Sequence, residues 1–93
     1  MTDPLVKSLS VCLTNLLIEL EYANENQVNN DFAVSLMEAT SAELQLINKK
    51  NLLDLISVIF EISASETDEK RKIFLENLPD NFGLANSTGG DTN

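Results

Sequence analysis

The chain of 93 residues contains no histidine and no tryptophan. Histidine is the side chain that most readily exchanges protons near neutral pH, and it is the commonest metal ligand. Its absence restricts acid–base catalysis and metal binding to carboxylates, lysines, one tyrosine and one cysteine. The sequence also has no glycine-rich phosphate loop and no nucleophile motif. We therefore expect a protein that is not an enzyme and that binds neither metal nor cofactor.

Cysteine is almost absent, since Cys12 is the only one. No internal disulfide can form and no cysteine-based metal cluster can be built. Cys12 lies at the edge of an apolar helix face, which favours a small core residue over a reactive thiol.

Long apolar runs are also missing. The first apolar stretch begins after Asp3 and is interrupted by Thr14 and Asn15, which is not typical of a secretory signal. No segment approaches the ~20 apolar residues that a membrane-spanning helix needs. The sequence therefore predicts a cytoplasmic protein without membrane association.

Basic residues are scarce: six lysines and arginines face fifteen acidic residues, which gives a net charge of −9. Such a charge repels the phosphate backbone, so direct nucleic acid binding is disfavoured. The same charge attracts basic proteins and accelerates their association. It therefore favours a protein partner, of which a basic protein is one kind, although solubility alone also accounts for the charge.

Only three glycines and two prolines interrupt the chain, and 43% of the residues are apolar. The apolar residues recur with helical spacing, which predicts an all-α fold: a small antiparallel bundle of four helices. The predicted helices cover residues 4–23, 31–47, 52–64 and 67–78. We predict one helical domain over residues 1–85 and a disordered tail over 86–93, a segment that contains no apolar side chain.

The third helix is the most apolar. Between Leu52 and Ile62 only Asp54, Ser57 and Glu61 interrupt the apolar residues. These three fall within one narrow sector of a helix, so we predict a central helix that is buried on nearly every side. Asn51 is its predicted N-cap.

The first helix is predicted to begin after Asp3, with Pro4 in its first position. Most of its apolar residues share one broad face, which we assign to the core. These residues are Leu5, Val6, Leu9, Cys12, Leu13, Leu16, Leu17 and Leu20.

A thinner apolar ridge lies on the back of this helix, where Val11, Ile18 and Tyr22 are spaced at i, i+7 and i+11. This spacing is typical of a helix-packing seam. We predict that the ridge forms the interface of a two-fold homodimer. The alternative is that the loop after Tyr22, or the segment around Phe82 and Leu84, covers it.

The second helix is predicted to be capped by Asn30 or Asp31 and contains one residue that conflicts with its pattern. Its predicted apolar face is flanked by Met37 and Leu44 and consists of Phe32, Ala33, Leu36, Ala39 and Ile47. If the helix is continuous, Glu43 falls in the middle of this face, and burying a carboxylate is costly. We favour a break at Thr40–Ser41. The alternatives are a pairing of Glu43 with Lys49 or Lys50, or a functional carboxylate.

The fourth helix is predicted to carry ion pairs on its surface. Ser65 is the predicted cap, and the i, i+4 pairs Glu66–Lys70 and Asp68–Lys72 place the acid first. Pro79 is predicted to end the helix. Phe82 and Leu84 are expected to fold back on the bundle.

These patterns favour a non-catalytic, acidic protein-binding module that acts through its helix surfaces. An inhibitor, an immunity-type protein or a chaperone-like adaptor would fit this description. The alternatives are a self-assembling structural scaffold and a DNA-mimic inhibitor, whose carboxylates would replace phosphates in the site of a nucleic-acid-binding protein.

Overall fold

A computed structural model describes residues 3–84. Over these residues the chain forms four α-helices and no strand, which confirms the predicted all-α fold. The helices are α1 (Pro4–Tyr22), α2 (Asn30–Leu44), α3 (Lys49–Ser65) and α4 (Glu69–Asn81). The predicted tail, residues 86–93, lies outside the described residues.

Each helix begins directly after a side chain that accepts a hydrogen bond from a backbone N–H of the first turn. The four caps are Asp3, Asn29, Asn48 and Asp68. Of the predicted caps only Asp3 is confirmed. The others are wrong because each helix start offers several amide or carboxylate oxygens within a few residues, and their order does not reveal which one bonds.

The core is built mainly from α3 and α4, which pack most extensively against each other. Helix α1 lies against this pair, and α2 is attached chiefly to α1. Phe82 and Leu84 fold back into the core after α4 and are 5% and 0% exposed. The other members of the central cluster are Leu17, Ile18, Leu52, Ile59, Phe74, Leu75 and Leu78.

Helix α3 is not the enclosed central helix that its composition predicts. Leu53 and Phe60 are 49% and 47% exposed, whereas Leu52 and Ile59 are buried. A bundle of four short helices cannot surround one of its members. The apolar character of α3 therefore exceeds what the core takes up.

The prediction for the inward face of α1 is correct for Leu17, which is buried, and for Leu13, which packs against the core, but it is wrong for other members of that face. Three of its leucines lie on the outside: Leu5, Leu9 and Leu16 are 65%, 59% and 65% exposed. Cys12 is exposed as well, so it is not a core residue. Ser10 and Thr14 are buried instead, at 4% and 1% exposure. The Thr14 hydroxyl donates to the Ser10 carbonyl at 2.9 Å, which satisfies it inside the core.

Helix α2 is continuous through Thr40 and Ser41, so the predicted break is wrong. Glu43 is exposed and needs no buried partner. The reason is a rotation of the helix: its inward side runs through Ala33, Met37 and Leu44, while Phe32 and Leu36 are exposed.

The acidic residues before α4 pair differently from the prediction. Glu66 precedes the helix, so its carboxylate accepts from the Arg71 Nε at 3.0 Å instead of pairing with Lys70. The backbone N–H of Asp68, together with Arg71, holds the pKa of the Glu66 carboxyl below its ordinary value. Pro79 does not end the helix. It removes only its own bond to the Leu75 carbonyl, and α4 continues to Asn81.

Candidate functional site

The predicted dimer ridge is only partly on the surface: Tyr22 is 47% exposed, but all three residues of the ridge contact or border the bundle. Ile18 is 3% exposed and belongs to the core. The Tyr22 hydroxyl donates to the Lys70 carbonyl at 3.2 Å, and its ring meets Phe74 edge-on with 6.4 Å between centroids. Val11 is half-buried. Ile18 and Tyr22 therefore have partners inside the bundle, and α4 packs beside this side of α1. Self-association itself stays a prediction.

The surface feature best suited to a ligand is a groove between α2 and the C-terminal part of α4. Its volume is about 560 Å³. Its apolar lining consists of Val34, Met37, Ala42, Phe74 and Phe82. We call it the α2–α4 groove. Concave, mostly apolar sites of this size are the usual form of a binding site.

The rim of the α2–α4 groove is acidic. Glu21 of α1 and Glu38 of α2 line it, and both are exposed. The remaining polar lining consists of Ser41, Gln45 and Asn81. Among the described residues that line the groove there is no lysine or arginine. A ligand with an apolar anchor and positive charge beside it would match this lining.

One wall of the groove is held in place by hydrogen bonds. The Phe82 carbonyl accepts from the Ser41 hydroxyl and from Gln45 Nε2, each at 2.8 Å. Gly83 follows with φ of +75°, a left-handed conformation that reverses the chain at the end of α4. These bonds fix the spacing of α2 from the end of α4.

A larger cavity of about 710 Å³ lies between the start of α1 and α3, and it is also lined by acids. Two of them are already engaged. Asp3 caps α1, and Glu61 accepts from Lys7 Nζ at 3.1 Å. Asp54 completes the acidic lining. This cavity is therefore the weaker candidate for a charged ligand.

Within residues 3–84, no group of three or more histidine, cysteine, aspartate or glutamate side chains is arranged to hold a metal ion. No helix in that range combines the length and the apolar character needed to cross a membrane.

The chain matches no protein-family model, no curated protein and no solved structure. The function proposed below therefore rests on the geometry and charge of the described residues.

The residues of the groove could not be identified from the sequence. Val34 lies outside the apolar face predicted for α2, and Met37 was assigned only to its flank. Phe82 was expected to fold back, but not to form the wall of a groove. A groove depends on the angle and separation of two helices, and neither leaves a signal in hydrophobic spacing.

Proposed function

We propose that the protein is a non-catalytic binding module whose α2–α4 groove accepts an amphipathic, basic segment of a protein partner. The observation that carries the proposal is the combination of an apolar lining with a rim of Glu21 and Glu38. An inhibitor, an immunity-type protein and an adaptor would all use this mode of binding. They differ in the partner and not in the chemistry of the contact.

The apolar part of the groove provides the anchor point. Val34 is 53% exposed, so a side chain that enters the groove removes it from water. Met37 lies beside it and is flexible and polarizable, which suits the packing of side chains of different shapes. One or two leucine-sized side chains of a partner helix would fit within this space.

The acidic rim selects the charge of the partner. The net charge of −9 accelerates the encounter with a basic segment, and Glu21 and Glu38 then face its lysines or arginines. Both carboxylates are exposed, so their contribution is screened by salt. We expect the rim to govern specificity and association rate, and the apolar anchor to govern dissociation.

Synthetic peptides provide a test that does not require the natural partner. Two helical peptides share the same leucine positions, and their polar positions are all lysine in one and all glutamate in the other. A third peptide keeps the lysines and replaces leucine with alanine. Binding is followed by NMR through the methyl groups of Val34 and Met37. We expect saturable shifts of these methyls with the leucine–lysine peptide alone.

A pair of variants in α2 controls for diffuse attraction. Glu38→Lys removes a rim carboxylate, whereas Glu43→Lys makes the same change of net charge outside the groove. We expect Glu38→Lys to weaken the leucine–lysine peptide about 5- to 10-fold and Glu43→Lys to have a much smaller effect. Equal weakening by both would mean that the groove does not select its ligand. Strong binding of the alanine–lysine peptide would favour the DNA-mimic alternative, in which no apolar anchor is needed.

A further inference from the structure

The outward face of α1 carries a continuous apolar line. Leu5, Leu9, Cys12 and Leu16 are all exposed, and they follow each other at intervals of four, three and four residues. These intervals place the side chains on one side of a helix and are those of a coiled-coil seam. We call these four residues the α1 stripe. No helix of the bundle covers it.

The α1 stripe lies in a part of this acidic chain that has few carboxylates. Glu19 follows Leu16 by three residues on the same side of α1, and its Oε2 lies 4.0 Å from Arg71 Nη1. From Pro4 to Ile18 the sequence contains no aspartate or glutamate. Lys7 is the one charged residue of this segment, and its Nζ is bonded to Glu61 at 3.1 Å. Two copies of the protein, each with a net charge of −9, would repel each other across most surfaces. The electrostatic repulsion between two copies is weaker when they approach along the α1 stripe.

Three other exposed apolar residues, on α2 and α3, have a carboxylate directly beside them in the sequence. On α3, Leu53 is followed directly by Asp54, and Phe60 is followed directly by Glu61. On α2, Phe32 follows Asp31. A second copy that docked on either of those helices would bring like charges together at the edge of the contact.

We infer that a second copy of the chain packs along the α1 stripe, so that the protein forms a two-fold homodimer through this face. The stripe is complementary to itself: in an antiparallel pairing Leu5 meets Leu16 of the second copy and Leu9 meets its Cys12. Residues 86–93 are a poor alternative occupant because they contain no apolar side chain. The inference is independent of the proposed function, since the α1 stripe shares no residue with the α2–α4 groove.

Sedimentation velocity of the full chain tests the inference. A seam on one helix is smaller than a standard interface of about 800 Å² per partner, so we expect micromolar affinity. The parent protein is measured between about 10 and about 300 μM, a range that spans weak specific interfaces. We expect its sedimentation coefficient to rise from the monomer value toward the dimer value. A protein that remains monomeric throughout this range would overturn the inference, including any role of the stripe in self-association.

Two matched variants locate the interface. Leu9→Glu places a charge in the α1 stripe, and Leu53→Glu places the same charge at a leucine of similar exposure on α3, 49% against 59%. We expect Leu9→Glu to raise the dimer dissociation constant at least ~10-fold and Leu53→Glu to leave it nearly unchanged. Circular dichroism confirms that both variants remain folded. The reverse order of effects would move the interface to α3 and contradict the inference.

Crosslinking provides a test on the unmodified protein. It requires no substitution, so unfolding of a variant cannot affect the result. Cys12 is exposed and lies in the middle of the stripe, so a short bismaleimide should join two copies through their only thiols. We expect covalent dimer at concentrations where the protein sediments as a dimer, and little where it is monomeric. Because the inferred contact packs Cys12 against Leu9, it should also slow the reaction of Cys12 with a monofunctional maleimide. A sedimenting dimer whose Cys12 reacts as fast as that of the monomer would place the contact on another face and would also overturn the inference.

Discussion

The carbonyl of Phe82 shows how one residue position joins two helices. It accepts hydrogen bonds from Ser41 and Gln45 of the region that ends α2, although it lies just after α4. The next residue, Gly83, has φ of +75° and lies directly under the Gln45 amide. A Cβ atom built on Gly83 would be 2.5 Å from Gln45 Nε2. Glycine is therefore favoured there chiefly by the backbone conformation, and a larger residue would also displace the end of the flexible Gln45 side chain.

We predict that Gly83→Ala destabilises the protein. The left-handed conformation costs a residue with a Cβ about 1–2 kcal/mol, and displacement of the Gln45 amide adds to this cost. Urea denaturation followed by circular dichroism measures the change. The control is Gln45→Ala, which removes the neighbour but keeps the glycine. An unchanged midpoint for Gly83→Ala would mean that the chain reverses differently after α4.

At the residue scale, sequence reasoning succeeded where one signal was unambiguous. Asp3 was identified as a cap because a proline follows it directly. Asn48 was missed because Asn51, one turn later, is an equally good capping residue. Thr14 was not predicted as a core residue because threonine is polar. Its hydroxyl donates a hydrogen bond to the Ser10 carbonyl, which lowers the free-energy cost of burial, and this bond is visible only in the folded helix.

At the scale of elements, the sequence of α1 does not reveal which of its faces packs against the core. Leu16 and Leu17 are adjacent in the sequence and both belong to the face predicted for the core, yet they are 65% and 2% exposed. Apolar residues occur around most of this helix, so spacing alone cannot select the side that packs. The arrangement of α3 and α4 determines which side of α1 packs. Thr14 and Ile18 are buried in the bundle, whereas the α1 stripe stays on the outside.

The orientation of α1 leads to a prediction about two neighbouring leucines. Leu17→Ala leaves a cavity in the core and should destabilise the protein by about 2–5 kcal/mol. Leu16→Ala changes an exposed residue and should alter the stability by no more than about 0.5 kcal/mol. Both variants are unfolded in urea at about 2 μM, where self-association contributes little. Equal losses, or a larger loss for Leu16→Ala, would contradict the orientation of α1.

The inward side of α2 was also difficult to predict from the sequence. Only Ala33 of this helix is buried, and α2 is attached chiefly to α1. Few buried side chains of α2 constrain its rotation, and the hydrogen bonds near its C-terminal end leave no signal in the sequence pattern, so its inward side includes Ala33 but not Phe32 or Leu36. The groove follows from this arrangement, because a helix that is lightly packed at its sides leaves space beside α4. The element types were predictable; their rotations, and therefore the candidate site, were not.

At the scale of the whole molecule, negative charge opposes compactness. Fourteen of the fifteen acidic residues lie within residues 3–84, together with all six basic residues, in a body whose principal extents are 41, 28 and 22 Å. The ion pairs that stand out, Lys7–Glu61 and Arg71–Glu66, engage two of the six bases. Unfolding moves the remaining carboxylates apart, so their mutual repulsion lowers the stability of the folded state.

We therefore predict that salt stabilises the protein. The screening length falls from about 30 Å at 0.01 M to about 10 Å at 0.1 M, so repulsion across the molecule weakens more than attraction within an ion pair at about 3 Å. The urea midpoint at about 200 mM NaCl should exceed that at about 10 mM. Sodium chloride is preferable to sulfate, which also strengthens the burial of apolar surface. The double variant Glu25→Lys, Glu43→Lys should show a smaller salt effect, since both residues are exposed and lie outside the groove and the α1 stripe. A midpoint that falls with salt would mean that the ion pairs outweigh the repulsion.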